Sequence, residues 1–483
     1  MDKIYDVIII GTGAAGMMAA LNVTESGMSC LMLEKGADIN ASNGSRTGGP
    51  ALAGTQTQAE AGVTLTPEEL YNHMFGFSRG TVHPGLLRTA IQEGATVERY
   101  ILECGIKLVL GEDMFGVGFR ARHMLYAHPR ERWGKLAAKV TERGGEIVFS
   151  TEAVDLVKNA DGAVCGVVAM QDGKQVTFSA KNVIIATGGF LGSKEMMREH
   201  LGGVIVNPGN GDANNGVGIQ MAQRAGAVLG KNWGICANEF NGSNHKVQGY
   251  SSLMRYAMMG GLLVDPQGER FMNEQYLADE PLSIGGELTM HPGRYYGVMD
   301  DAAYQALQTQ TLYDYCGRPE EWYCGRANHD QPVRLPPGFQ MPPIEKDIEA
   351  GVAVRADTLE EAAAAFRLPE LPATVAAYNA LCDAGRDTQF GKASFLLHAI
   401  TKAPFYVIEY EPCAWCTFGG IKTDGHCRAL DADLKPISGL YVIGVDNASA
   451  YCAPYYDNEG ASLGVAFGSG IVAGKDIAAR LKK

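Results

Sequence analysis

The residues best suited to chemistry are Gly11-x-Gly13-x-x-Gly16 and, further along, Glu34. The first glycine permits a tight turn, the second lets a pyrophosphate approach the backbone, and the third allows the following segment to pack closely. Glu34 can accept hydrogen bonds from the ribose hydroxyls of an adenosine. Its charge opposes a 2′-phosphate, which disfavours NADP. The expected ligand is a dinucleotide lying along Gly11, Gly13, Ala14, Ala15, Gly16, Glu34 and Lys35.

Four other groups invite a chemical reading. Cys413-x-x-Cys416, with Cys427 and Cys452 beyond it, has redox or metal spacing, but without a second close pair it falls short of a ligand set, and no metal is expected. Gly460-Ala461-Ser462-Leu463-Gly464 matches the nucleophile elbow of serine hydrolases. That elbow needs a later histidine, and the last one is His426, so Ser462 reads instead as a residue near a helix start. Arg120, Arg122, His123 and His128 cluster before a helical stretch, where solvation of a surface is the simpler reading. Tyr313, Tyr315, Trp322 and Tyr323 form an aromatic cluster that reads as core.

These residues need elements to hold them. Tyr5–Ile10 is an apolar, β-branched run, Met17–Asn22 has helix-former composition, and Ser29–Leu33 leads into Glu34-Lys35. Strand, glycine turn, helix and strand make a βαβ unit and start a parallel sheet. A helix around Arg132–Arg143 leads to Glu146–Phe149; Gly162–Met170 and Gln175–Ala180 flank an Asp172-Gly173 hairpin turn; Lys181–Gly189 follows as a further run. From 236 to 416 the alternation weakens and Pro and aromatic residues accumulate, as in an inserted domain. Strand and glycine patterns return at Leu440–Gly444 and Gly470–Gly474.

Gly accounts for 61 of 483 residues, an excess that suits tight turns and close approach to a large ligand. A net charge of −13 without basic blocks opposes nucleic acid and anionic membranes as partners. Met1–Ile4 carries no signal pattern and Val7–Ile10 is too short to cross a bilayer, so a cytoplasmic location with reduced cysteines is expected.

The chain resembles the fumarate reductase and succinate dehydrogenase flavoprotein family, which includes soluble reductases and the 3-ketosteroid dehydrogenases. The resemblance spans nearly the whole chain. It rests on the glycine fingerprint, Asn43–Gly49, Ala186–Gly189, Asn210-Gly211-Asp212, Gly268–Glu274, Tyr378-Asn379 with Gly385–Asp387, Thr417–Ile421 and Gly439–Tyr441. It implies an α/β fold: a Rossmann-type FAD-binding domain in two parts, 1–235 and 417–483, with an inserted α+β capping domain, 236–416. It also implies FAD held by Glu34 at the ribose, by Ser45, Arg46, Thr47, Gly48 and Gly49 along the flavin, and by Asp446 at a ribityl hydroxyl. Ser462 and Leu463 would offer backbone N–H groups, and Ala153, Ala186, Thr187, Gly188 and Asp212 would line the rest. Ser45–Thr47 offers no histidine for a covalent link, so the cofactor is expected to be non-covalent.

The departures from the family pattern bear on the substrate. Dicarboxylate reductases of the family carry a proton-donating arginine where this chain has Ala278, a histidine where it has Trp415-Cys416, and a substrate arginine where it has Tyr456–Gly460. Without fixed positive charge a carboxylate is poorly held, so a neutral ring fits better. In the steroid members a tyrosine and a backbone N–H four residues on handle a ring ketone, which implies Tyr456 and Gly460 here. Tyr276 is a second candidate acid, and Tyr455, Trp415, Cys416 and Arg122 are candidate substrate contacts. Tyrosine's ordinary pKa near 10 suits it to protonating an enolate-like species. The expected activity is hydride exchange between flavin N5 and a neutral cyclic enone, steroid or polyphenol, akin to the family's tetrahydrodaidzein reductase, with NAD(P)H or a redox partner as electron donor. The alternatives are a fumarate-type reductase of an unsaturated carboxylic acid and a flavin electron carrier.

Overall fold

The computed structural model describes residues 3–42, 44, 48–113, 116–202, 207–208, 213–237, 244, 246, 260–280, 282–310, 314–315 and 344–482. Strand β1 (Ile4–Ile10), helix α1 (Ala14–Glu25) and strand β2 (Cys30–Leu33) form the expected βαβ unit. β1 is apolar from Val7 to Ile10 because both its faces are covered there: Val7 and Ile9 enter one core, while Ile8 and Ile10, with Tyr5, enter another. α1 is buried from Ala15 to Thr24 and packs beside the final helix, Ala461–Leu481.

The central sheet runs in the order Arg428–Leu430, Pro436–Val442, Lys174–Ile185, β1, β2, Glu146–Val148. From Pro436–Val442 to Glu146–Val148 its neighbours are parallel. Two segments read separately from the sequence, Gln175–Ala180 and Lys181–Gly189, prove to share one long strand. Its first half pairs antiparallel with Val164–Gln171 and its second half parallel with β1, so its environment changes while the chain runs straight on. The sequence reading passed over the strand Thr151–Lys158, whose alternation is interrupted by two register shifts against Val164–Gln171.

Between residues 262 and 410 lies a second, antiparallel sheet, ordered Leu263–Val264, Tyr295–Asp300, Phe405–Tyr410, Ala353–Ala356. It has apolar cores of its own on its two faces. A small third sheet pairs Gly234–Ala237 antiparallel with Cys413–Phe418, tying the two ends of this segment together.

Candidate active site

The parallel strands end at one edge of the sheet, where Ile10, Leu33, Ala186 and Ile443 open onto a cavity of about 300 Å³. Ligands in open α/β sheets bind at this edge, outside the carboxyl ends of the strands.

The glycine fingerprint meets three different environments there. Gly11 has φ +103°, and a Cβ on it would lie 2.4 Å from the Ala186 carbonyl oxygen. A Cβ on Gly16 would lie 2.2 Å from the Gly11 carbonyl oxygen. At Gly13 nothing lies within 4 Å of that position, so the backbone faces open space. Gly13 also caps α1 without any side-chain hydrogen bond, which leaves first-turn N–H groups for an anion. Glu34 closes this end: one carboxylate oxygen accepts from the Thr12 N–H at 3.1 Å and the Thr12 hydroxyl at 2.6 Å, and the other accepts from the Gly36 N–H at 2.8 Å. Lys35 donates to the Ala213 carbonyl. Space, donors and carboxylate together fit FAD.

At the far end stands the N-terminus of the helix Ala461–Leu481. Its cap, Gly460, has φ +75° and approaches the Gly49 carbonyl so closely that a Cβ would lie 2.6 Å from the oxygen. The Ser462 N–H donates to the Tyr455 hydroxyl. Burial pushes the Tyr455 phenol well above its ordinary pKa. The register shift between Gly234–Ala237 and Cys413–Phe418 falls at Trp415, and both Trp415 and Cys416 line the cavity. Opposite Cys416 in register lies Cys236. Arg122 donates to Glu459 at 2.5 Å. Lys35 and Arg122 are the only cations among the described residues lining the cavity.

The family model for the FAD binding domain matches residues 6–463. The chain belongs to that family. It is an FAD-dependent oxidoreductase, built on the α/β fold that its motifs imply. It is similar to the vinyl phenol reductase of Lactiplantibacillus plantarum, 26% identical over 98% of this chain and 96% of that one. The NADH:fumarate oxidoreductase of Klebsiella pneumoniae is 24% identical over 92% of this chain and 44% of its own length. The solved 3-ketosteroid delta1-dehydrogenase of Sterolibacterium denitrificans shares the fold, with TM-score 0.74 at 20% identity over 99% of both chains.

The structure gathers most of the residues singled out from the sequence. Gly11, Gly13, Ala14, Ala15, Glu34, Lys35, Gly48, Gly49, Ala153, Ala186, Thr187, Gly188, Ser462 and Leu463 line the cavity, as do Arg122, Trp415, Cys416, Tyr455 and Gly460. Ser45, Arg46, Thr47 and Asp212 lie outside the described residues, as do Tyr313, Trp322 and Tyr323. Tyr315 stacks on His398 at 4.8 Å, beside a core.

Four residues stand elsewhere than expected. Tyr456 is fully buried and donates its hydroxyl to the Ala450 carbonyl at 2.9 Å, away from the cavity. Tyr276 is 39% exposed and lines no part of it. Asp446 is buried behind the cavity wall, where its carboxylate accepts from the N–H groups of Thr187, Gly188 and Gly189 at 2.5, 3.0 and 2.8 Å and fixes that turn rather than facing the cavity. Burial raises its pKa, and those hydrogen bonds oppose the rise. His123 is buried between the Thr55 hydroxyl and the Ala121 carbonyl, at 2.7 Å each, and burial lowers its pKa. Its neighbour Arg122, a candidate substrate contact in a segment otherwise read as surface, is the one that reaches the cavity. The sequence reading missed Cys236, Leu282, Asn214 and Glu152 in the wall, since none sits in a motif.

Proposed function

We propose that this enzyme reduces a carbon–carbon double bond conjugated to a neutral ring, such as a vinyl phenol, a cyclic enone or another polyphenol. The observation that carries this reading is the Arg122–Glu459 pair, which cancels the one fixed positive charge that the described residues place at the Tyr455 end of the cavity. The other lining cation, Lys35, adjoins Glu34 at the opposite end. A carboxylate entering beside a cancelled charge would lose hydration with little in return, whereas a neutral ring would meet Trp415, Leu282 and Tyr455. The full-length likeness to a vinyl phenol reductase supports the same class.

FAD, when bound, supplies the hydride at its flavin N5. The protein's part is positioning and proton transfer. Tyr455 takes the role first expected of Tyr456, because it lines the cavity with its hydroxyl held by the Ser462 N–H, and its raised pKa keeps the proton in place. Trp415 offers an aromatic face to the ring. The segment 236–416 serves as the cap that excludes water, and the electrons come from NAD(P)H or a redox partner.

Reduction of an unsaturated carboxylic acid is a second reading, favoured by one observation: the Arg122 Nε is buried and has no hydrogen-bond partner among the described residues. Anaerobic reduction of the flavin, followed by a 4-vinylphenol, a 3-ketosteroid, tetrahydrodaidzein or fumarate, separates the two. Reoxidation by a neutral ring compound and not by fumarate is expected, and rapid reoxidation by fumarate would overturn the proposal.

A further inference from the structure

Cys236 and Cys416 come from strands far apart in the chain, yet they are direct partners across the antiparallel pair Gly234–Ala237 and Cys413–Phe418. Directly opposed residues in such a pair have Cα atoms about 4.5–5.5 Å apart, within the roughly 4.4–6.8 Å that a disulfide spans. Both residues carry thiols rather than a disulfide, and both line the FAD cavity. Cys413, the partner suggested by the C-x-x-C spacing, is buried and does not line it. The Cys416 sulfur lies 3.7 Å from the Ser462 hydroxyl, in the first turn of a long helix whose N-terminal dipole favours negative charge. Hydrogen bonds from Cys236 and then Ser462 lower the Cys416 pKa although burial opposes them, which favours the nucleophilic thiolate. The other buried thiols with a resolved shift, Cys30, Cys427 and Cys452, are pushed upward by burial.

We propose that Cys236 and Cys416 are a thiol–disulfide couple in the wall of the FAD cavity, oxidised by small-molecule disulfides. The inference is independent of which substrate the enzyme reduces. The Cys416 thiolate attacks one sulfur of the small disulfide, forming a mixed disulfide and expelling one thiolate, which takes up a proton. The Cys236 thiol then loses its proton and displaces the second thiolate, closing the Cys236–Cys416 bond. Two protein thiols are oxidised and one small disulfide is reduced to two thiols, so atoms and electrons balance. The remaining wall holds the pair in register, which makes the second step intramolecular and fast.

The test uses the FAD-loaded protein, treated with oxidised glutathione under air-free conditions. Digestion without reductant and mass spectrometry should yield a Cys236–Cys416 cross-linked peptide that dithiothreitol removes. A reductive titration with dithionite should then need about twice the electrons of the untreated protein, the disulfide adding a two-electron couple to the flavin's own. Cys236→Ser should stop at a mixed disulfide on Cys416, and Cys416→Ser should give no cross-link. Absence of the cross-linked peptide after prolonged treatment with excess oxidised glutathione, or a titration unchanged by treatment, would overturn the proposal. Cross-linking of Cys416 to Cys413 instead would overturn it equally.

Discussion

The Arg122 guanidinium and the Glu459 carboxylate, 337 positions apart in the chain, meet at 2.5 Å in the wall of the FAD cavity. Each is largely shielded, with side-chain exposures of 20% and 10%, so the pair is screened far less than a surface ion pair. Glu459→Gln should therefore uncover a positive charge. Affinity for an aromatic propenoic acid is expected to rise about tenfold, the equivalent of one charge-assisted hydrogen bond of roughly 1.5 kcal/mol, while affinity for the neutral vinyl compound changes little. Inhibition constants for the two ligands measure this. Equal responses would mean that the pair does not set the charge of the pocket.

Two adjacent tyrosines offer a sharper comparison. Tyr455→Phe removes the hydroxyl at the cavity wall and should lower kcat about 10²-fold or more, the range of general acid catalysis. Tyr456→Phe removes a buried bond to the Ala450 carbonyl; it should cost about 1 kcal/mol of stability and leave kcat within a factor of a few. Steady-state kinetics and thermal melts of both variants decide the assignment.

The pH profile follows from the same group. Burial raises the Tyr455 pKa, so the protonated form persists above the pH at which a free phenol ionises. An acid that stays protonated loses no activity as pH rises, and kcat should stay flat through about pH 10, the ordinary tyrosine value. A fall in kcat centred below that pH would assign the proton to another group.

Much of this was legible in the sequence wherever one short segment carries the whole signal. The strand, glycine turn and helix from Ile4 to Glu25 are local; Gly16 is required by the Gly11 carbonyl within the same unit, Gly11 by the Ala186 carbonyl at the end of the neighbouring strand, and Gly13 by the open space a ligand would fill. The motif Thr66-Pro67-Glu68-Glu69 was equally local, a capping box opening the helix Pro67–Phe77, and the sequence reading passed over it. The site's substrate end was not legible, because it depends on contacts between distant segments. A bulge at Trp415 and the register that sets Cys236 against Cys416 leave no trace in spacing. Tyr455 and Tyr456 are identical in type and adjacent, and only the packing of the final helix decides which one faces the cavity.

The family motifs at Gly268–Glu274 and Gly385–Asp387 turn out to meet inside the segment 262–410. Arg270 donates to Glu274 at 2.8 Å and to Asp387 at 2.8 Å, and Lys392 stands 3.1 Å from Glu274, all with side chains at most 1% exposed. Two cations face two carboxylates, so the buried charge balances. Asp387→Asn leaves an uncompensated positive charge and should cost about 3–5 kcal/mol, read from denaturant unfolding. The Asp387 carboxyl is held well below its usual range by the Arg270 guanidinium and by the N–H groups of Lys392, Phe390 and Gln389, against its desolvation. A depressed carboxyl stabilises the fold above its unfolded pKa near 4, and that stability is lost as pH falls through the folded value. The wild type should lose stability as pH drops below about 4, and the variant should show less of this slope.

Gly11 and Gly13 separate binding from folding. Gly13 has φ −67° and ψ −174°, which any residue adopts, and its Cβ direction is open into the cavity. Gly13→Val should therefore leave the apoprotein within about 1 kcal/mol of the parent while its side chain fills the space where a pyrophosphate approaches, so that FAD content falls steeply. Gly11→Ala meets the opposite situation, with φ +103° and a carbonyl oxygen 2.4 Å from the new methyl. The strained conformation alone costs about 1–3 kcal/mol and the clash adds to it, so this variant should melt at lower temperature even as apoprotein. Flavin absorbance of the purified proteins and melts of the FAD-free forms give the two readouts. If Gly13→Val retains its flavin, the pyrophosphate does not lie over this turn; if it loses flavin only because it unfolds, Gly13 has a structural role that its open surroundings do not account for.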